Sequence, residues 1–292
     1  MSVIVTFIVF SIFFLLIPQN AYAWGPATHI YFGVELLKDL SVLSPVISSI
    51  LIKFPYDFLY GCISADITVG KKYIDYHNHC HNWRIGFKIL AEAETTAQKA
   101  FSFGYLSHLA ADSVAHNFFV PTQMINAFSQ KSTGHTYWEI RADSLIGREY
   151  WHEVAKISKE IQRDHDKLIR NVVERTLFPF DLNKGIFNSI LMINRLKQWR
   201  RMVRRIASRS RWDLGNNDVE KFHRLSSLTI LDLLISLDHA ECMRLDPTGR
   251  TNIKSALQIR KSLKRLARRQ VLSESNYLTA VKQLPIQAPP FE

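Results

Sequence analysis

The sequence predicts an all-α protein, a multi-helix bundle with polar groups gathered inside it. Three observations carry that expectation. Proline is absent from 56–120, 122–178 and 180–246, so helices can run there without a missing N–H or a ring clash. No segment alternates apolar and polar residues convincingly enough to compete as a strand. Between 104 and 116, in Gly-Tyr-Leu-Ser-His-Leu-Ala-Ala-Asp-Ser-Val-Ala-His, the residues His108, Asp112 and His116 recur every four positions. A helix turns about 100° per residue, so these three form one stripe about 80° wide. Phe103, Leu106, Ala110 and Val114 fall on the opposite side. A helix with no solvated face belongs inside a bundle.

Taken in order, the chain opens with an apolar run from Val3 to Ile17, followed by Pro18-Gln19-Asn20 and then Ala21-Tyr22-Ala23. This reads as a secretory signal over 1–23 with an A-x-A cleavage site, and implies a secreted or periplasmic protein. Its n-region lacks Lys and Arg, so an uncleaved anchor is the alternative, although 15 residues are short for a span of about 20. Cleavage after Ala23 makes Trp24 the mature N-terminus. Of the 292 residues 47% are hydrophobic and 12% aromatic, enough to build a core and to exclude disorder.

Helices are expected near 27–40, 45–54, 86–117, 135–176, 186–210, 217–243 and 251–270, several of them broken by short turns. Pro26 opens the first in a favoured first-turn position. Phe178-Pro179-Phe180-Asp181 is the best candidate boundary, dividing residues 24–180, which hold the candidate site, from a basic helical region at 181–292 that either extends and packs on the same domain or forms a separate one. Charge changes there too. Residues 184–292 carry 21 Lys and Arg against 9 Asp and Glu, whereas residues 1–183 carry 16 against 17. Such a block suits an anionic partner, either lipid headgroups or nucleic acid, as well as solvated helix faces. In 195–211, Leu196, Trp199, Val203 and Ile206 repeat at helical spacing while Arg200, Arg201, Arg204, Arg205 and Arg209 crowd the remaining faces, a pattern shared by interfacial helices and core-packed ones. Cys62, Cys80 and Cys242 form no close-spaced metal pattern. A Cys62–Cys80 bridge is conceivable in an exported protein, but the spacing does not establish it.

The candidate site residues are polar groups at ordered intervals. His29 lies within a turn of the first helix start, and Gly61-Cys62-Ile63-Ser64-Ala65-Asp66 delivers a carboxylate after an apolar helix. Tyr76-His77-Asn78-His79-Cys80-His81-Asn82-Trp83 packs three histidines into five residues. Beyond the central stripe, His135 and Glu139 form another i, i+4 pair, with Asp143 one turn on. An imidazole–carboxylate–imidazole stripe is costly to bury unless something ties it together, and a divalent cation does so. Each element taken singly has a plainer reading: a polar helix face, a capping Asp66, an ion-paired Glu139. His152, His165, His223 and His239 lack metal-like neighbours and are assigned to surface or core packing.

Trp24-Gly-Pro-Ala-Thr-His29, Gly61-x3-Ala-Asp66, His81-x-Trp83, His108-x3-Asp112-x3-His116 and Gly134-His135-x3-Glu139 stand in an order that resembles the zinc-dependent phospholipase C family. The plan is similar to that of the three-zinc single-strand-specific nucleases and of the catalytic domain of glycosylphosphatidylinositol-specific phospholipase D. The resemblance implies an all-α bundle around a trinuclear zinc site, about three Zn2+ per chain. It assigns the amine and carbonyl of Trp24, His29 and one oxygen of Asp112 to one zinc. A second falls to His81, His108 and the other oxygen of Asp112, with Asp66 as a ligand or as the catalytic base. The third falls to His116, His135 and Glu139. His81 is preferred to His77 and His79 on its spacing from Asp66 and the Trp two residues on. Three residues separate Asp112 from His116 where the bacterial phospholipases and the nucleases usually have five, and Ala65 stands where a Pro is common.

Nitrogen and oxygen donors without thiolates suit catalytic zinc, and close paired metals supply hydroxide near neutral pH and clamp both oxygens of a phosphodiester in flight. The expected function is therefore an exported zinc phosphodiesterase of phospholipase C type. Its partners would be a phospholipid substrate and an anionic membrane surface. A nuclease on single-stranded nucleic acid and a non-catalytic, membrane-anchored metal protein are the alternatives.

Overall fold

In the computed structural model every regular element among the described residues is helical, as expected. Those residues are 24–68, 80–129, 135–173, 178–195 and 216–282, with 199, 201–203 and 205. The predicted signal over 1–23, and His77 and His79, lie outside them. The helices are α1 (Pro26–Lys38), α2 (Pro45–Lys53), α3 (Pro55–Ser64), α4 (Trp83–Ala91), α5 (Thr96–Val114), α6 (Val120–Asn126), α7 (His135–Asp143), α8 (Arg148–Lys156), α9 (Lys159–Val172), α10 (Phe180–Arg195), α11 (Asn216–Ser236), α12 (Arg250–Arg268) and α13 (Glu274–Lys282). No single described helix is long and apolar enough to cross a membrane.

The predicted helices break where local chemistry breaks them. The run expected over 86–117 divides at Thr95, whose hydroxyl accepts from Gln98 N (3.1 Å) while the Gln98 side chain accepts from Thr95 N (3.2 Å). This reciprocal capping box starts α5 afresh. Ser158 caps α9 in the same way through Ile161 N (3.1 Å), splitting the run expected over 135–176. Helix α3 was not anticipated. Pro55 ends α2 by removing a backbone donor and then occupies the first turn of α3, bending the pair by 93°.

Helix α5 is the axis of the molecule, buried on all sides from Ala100 to Val114. Helices α3, α4 and α11 pack around it. Helix α3 crosses it where Gly61 meets Gly104: a Cβ on Gly61 would fall 2.0 Å from Phe101 O, and one on Gly104 2.0 Å from Phe58 O. Only glycine lets two backbones approach this closely. The crossing is walled by Phe58, Tyr60, Phe101 and Tyr105, all with 1% exposure or less. Each such side chain contributes roughly 1.5–3 kcal/mol by leaving water, so the crossing is held firmly.

After Val114 the axis continues through one π-helical turn, Ala115–Phe119, into α6. Pro121 accounts for it, since its ring lacks an N–H and would clash with the carbonyl of Asn117 one turn back. The displaced Asn117 carbonyl accepts from Asn252 Nδ2 (3.3 Å) on α12 instead. The C-terminal segment thus packs directly on the central helix. Val203 is buried and Trp199 half-buried, while Arg201 and Arg205 are exposed; Leu196, Arg200, Arg204 and Ile206 lie outside the described residues. Cys62, Cys80 and Cys242 are separate buried thiols, so the conceivable Cys62–Cys80 bridge is not formed.

Candidate metal centre

Asp112, on the third turn of α5 beyond the glycine crossing, is 1% exposed and stands among four histidines. Its two oxygens divide them. His29 Nε2 from α1 lies 3.2 Å from Oδ1. His81 Nε2 and His108 Nε2 lie 2.9 and 3.3 Å from Oδ2, and His116 Nδ1 approaches that oxygen at 3.9 Å. Asp66 joins from the 3-10 turn after α3, its Oδ1 3.4 Å from His81 Nε2 and 3.9 Å from His108 Nε2. Ligand atoms of His29, Asp66 and His108 fall within 4.8 Å of one another, as do those of His81, His108 and Asp112.

Each ring is held by what lies behind it. His108 Nδ1 sits 2.8 Å from the carbonyl of Cys62, a contact set up by the glycine crossing one turn earlier. His116 Nδ1 sits 2.6 Å from the carbonyl of Pro247. A carbonyl can only accept, so Nδ1 carries the proton in both rings and Nε2 keeps its lone pair, the usual outer arrangement of metal-binding histidines. His29 and His108 stack at 3.8 Å between centroids. His81 precedes Asn82, which caps α4 through Arg84 N (2.9 Å). On its other side the Cys80 carbonyl accepts from Tyr105 OH (2.7 Å), and Trp83 Nε1 donates to Leu245 O (2.8 Å).

The residues present fit a metal ion. Donor atoms of one tetrahedral zinc, bound at about 2.0–2.1 Å, stand about 3.3 Å apart, the range seen around Asp112. His29 Nε2 and Asp112 Oδ1 are fully buried yet form no hydrogen bond among the described residues, although 3.2 Å apart; two aligned lone pairs around a cation would satisfy both. Burial, with the nearby His108, lowers His29 to about 4, so the ring is a neutral donor at pH 7. For Asp112 burial acts upward, but His108, His29 and His81 outweigh it and hold the carboxyl well below the usual range. Burial raises the Cys62 thiol well above its usual range.

The remaining sequence-predicted residues are Trp24, His135 and Glu139. Trp24 is buried, stacked on Phe119 at 4.6 Å and donating from Nε1 to Ser226 Oγ (3.1 Å). Its main chain therefore sits at the foot of α1, ahead of His29. Glu139 is buried on α7 at 3% exposure. The side chain of His135 lies outside the described residues, so the third zinc assignment is not described as a cluster. The four other histidines follow the packing assignment: His152 and His239 are exposed, His165 pairs with Asp57 (2.7 Å) on Phe101, and His223 packs between Trp24 and Tyr31.

Asp143 was read only as one turn beyond Glu139, and the structure gives it a place. Helix α1 has Gly25 at its N-cap and no side-chain cap of its own. The Asp143 carboxylate fills that role from α7, accepting from Thr28 N and Thr28 Oγ1 (2.8 Å each) and from Ala27 N (3.2 Å). No local signal could reveal a cap supplied from 115 residues away. The carbonyls of Cys62, Leu245 and Pro247 were missed for a related reason, since backbone acceptors carry no residue signature.

No curated protein and no solved structure matches the chain. A family model described as zinc dependent phospholipase C matches residues 28–181, just over half of the chain. That span holds every side chain of the cluster, from His29 to His116. With its helical bundle and its buried nitrogen and oxygen donors, the chain belongs to the zinc-dependent phospholipase C family, phosphoric diester hydrolases that act on phospholipids.

Proposed function

We propose that this protein is an exported phospholipase C that hydrolyses the headgroup phosphodiester of a phospholipid at the Asp112 cluster, releasing diacylglycerol and a phosphorylated headgroup. The supporting observation is the division of the Asp112 carboxylate, one oxygen toward His29 and the other toward His81 and His108. His29 with the Trp24 amine and carbonyl, and His81 with His108, would hold two zinc ions bridged by Asp112, while His116, His135 and Glu139 would hold a third. Zinc bound there supplies Lewis-acid stabilisation of phosphate oxygens and activation of water at neutral pH.

The chain's own groups account for the rest. Asp66 is buried, and its Oδ1 faces the His81 and His108 nitrogens, so it can accept a proton from the attacking water and hold that water in line. The Cys62 and Pro247 carbonyls lock the rings of His108 and His116, so no reorientation is needed during reaction. Removal of residues 1–23 creates the Trp24 amine, which links export to completion of the site.

Contact with an anionic membrane has support in α12. Arg250, Lys254, Lys261, Arg265 and Arg268 are exposed along it, no acidic residue lies between 250 and 268, and Asn252, Ala256, Ile259 and Leu263 face inward. Basic residues near an anionic surface contribute about 1 kcal/mol each.

The test is purification of the exported protein, zinc analysis, N-terminal sequencing and comparison of turnover on phosphatidylcholine and single-stranded DNA. Release of diacylglycerol with two or more bound zinc ions is expected. Zinc-loaded protein that cleaves DNA and leaves phosphatidylcholine intact would overturn the substrate assignment.

A further inference from the structure

Between α9 and α10, on elements that supply no metal donor, lies an open cleft of about 710 Å³. Lys159, Arg163 and Lys167 follow one another at four-residue spacing along its α9 wall, and all three are exposed. The opposite face of α9 is buried through His165, Leu168, Ile169 and Val172, which fixes the cationic face outward. Lys184 from α10 closes the floor. It is mostly buried, pairs with Asp166 Oδ1 (3.2 Å), contacts Tyr60 OH and lies over the Tyr60 ring at 4.5 Å. At the rim Arg170 pairs with Asp181 (2.5 Å). The walls are thus tied together at floor and rim, so the cleft is preformed.

Its charge is unbalanced. Asp166 and Asp181 are matched by Lys184 and Arg170, leaving Lys159, Arg163 and Lys167 in excess. Arg163 reaches only Asp164, at 4.0 Å, and among the described residues Lys159 and Lys167 form no ion pair. The N-terminus of α9 adds the positive end of its helix dipole beside Lys159. Three exposed cations over a polar floor match a compact, multiply charged anion, with Arg163 offering a planar fork and the lysines point charges.

We propose that this cleft is a second anion site that binds a phosphomonoester group, carried by a lipid headgroup such as that of phosphatidic acid or present as free phosphate. It is separate from the catalytic cluster. A phosphomonoester lacks the diester bond the enzyme cleaves, so a ligand held here persists and can retain the enzyme where such groups are dense.

The test is calorimetric titration of the zinc-loaded protein with soluble dihexanoyl phosphatidic acid and, separately, with inorganic phosphate. The comparison is the Lys159→Glu, Arg163→Glu, Lys167→Glu triple variant. Because the metal centre also attracts phosphate, the readout is the disappearance of one site of the wild-type stoichiometry. The variant should lose that site, at least tenfold in affinity, while zinc content and turnover of a short-chain phosphatidylcholine stay unchanged. Tighter binding of the lipid assigns the site to headgroups, and equal binding assigns it to free phosphate. Identical isotherms for wild type and variant would overturn the proposal. If charge reversal impairs folding, the corresponding triple Gln variant serves, and its retention of the site at wild-type affinity would overturn the proposal equally.

Discussion

Replacing Asp143 tests whether a cap from α7 sets the start of the helix that carries His29. Asp143→Ala orphans two buried donors, Ala27 N and Thr28 Oγ1, and removes one of two bonds from Thr28 N, which keeps the Gly25 carbonyl (3.0 Å). At about 1–3 kcal/mol for each unsatisfied group and about 1 kcal/mol for the shared Thr28 N bond, the gross loss is roughly 3–7 kcal/mol. Against it stands the cost of keeping a charge there: burial outweighs the Thr28 and Ala27 bonds and raises the carboxyl from 3.8 to about 6. At about 1.4 kcal/mol per pH unit that penalty is roughly 3 kcal/mol at pH 7, and the mutation relieves it. A net destabilisation of about 2 kcal/mol results, taken from the middle of the range. Asp143→Asn keeps one oxygen for the two Thr28 donors and loses only the Ala27 bond, so it should lie within about 1 kcal/mol of wild type at pH 7.

The two variants also separate in pH. A folded value above the unfolded one means the native carboxyl binds more protons between them, so wild-type stability falls as pH rises from about 4 to about 6 and then levels off. The Asn variant lacks that slope. Relative to wild type it should therefore gain about 3 kcal/mol between pH 4 and pH 7. Urea unfolding of both proteins in identical buffers measures this, with zinc linkage cancelling to the extent that the substitution leaves the metal site intact. An Asp143→Ala variant within about 0.5 kcal/mol of wild type, or equal pH slopes for wild type and Asn, would refute the cap.

Three further outcomes follow from the same geometry. Asp112→Asn removes the charge that faces four histidines and should lower phosphatidylcholine hydrolysis at least about 100-fold, with zinc lost in elemental analysis; near wild-type turnover would refute the shared carboxylate. Gly249 holds a left-handed conformation (φ 53°) against the backbone of His116, where a Cβ would fall 2.4 Å from the His116 carbonyl. Gly249→Ala should therefore cost more than the roughly 1–2 kcal/mol of backbone strain alone and loosen the Pro247 contact, seen as a lowered melting temperature together with weaker zinc retention. A protein with one extra residue before Trp24 converts the amine to an amide and should bind one zinc fewer with most activity gone; full activity would remove Trp24 from the site.

How much of this was legible in the sequence depends on the distance over which each feature is written. The i, i+4 repeat of His108, Asp112 and His116 follows from helix geometry alone, and the apolar back of the same helix announces its burial. The ordered donors that resemble the family were likewise visible, because a metal demands particular residue types and the residue types are the sequence. Breaks at Thr95 and Ser158 were present as capping signals. Tertiary structure alone decided which atoms converge. It set His29 of α1 on one oxygen of Asp112 and His81 of the Cys80–Asn82 loop on the other. It brought the Cys62 carbonyl to His108 through the Gly61–Gly104 crossing, and the Pro247 carbonyl to His116 across 131 residues. It made Asp143 a cap for a helix it does not belong to. The carbonyl contacts of His108 and His116 and the cap bonds to Ala27 N and Thr28 N pair a side chain with a main-chain atom, so no pattern in the chain can mark the partner. Only packing, which decides what lies within 3 Å of what, selects it.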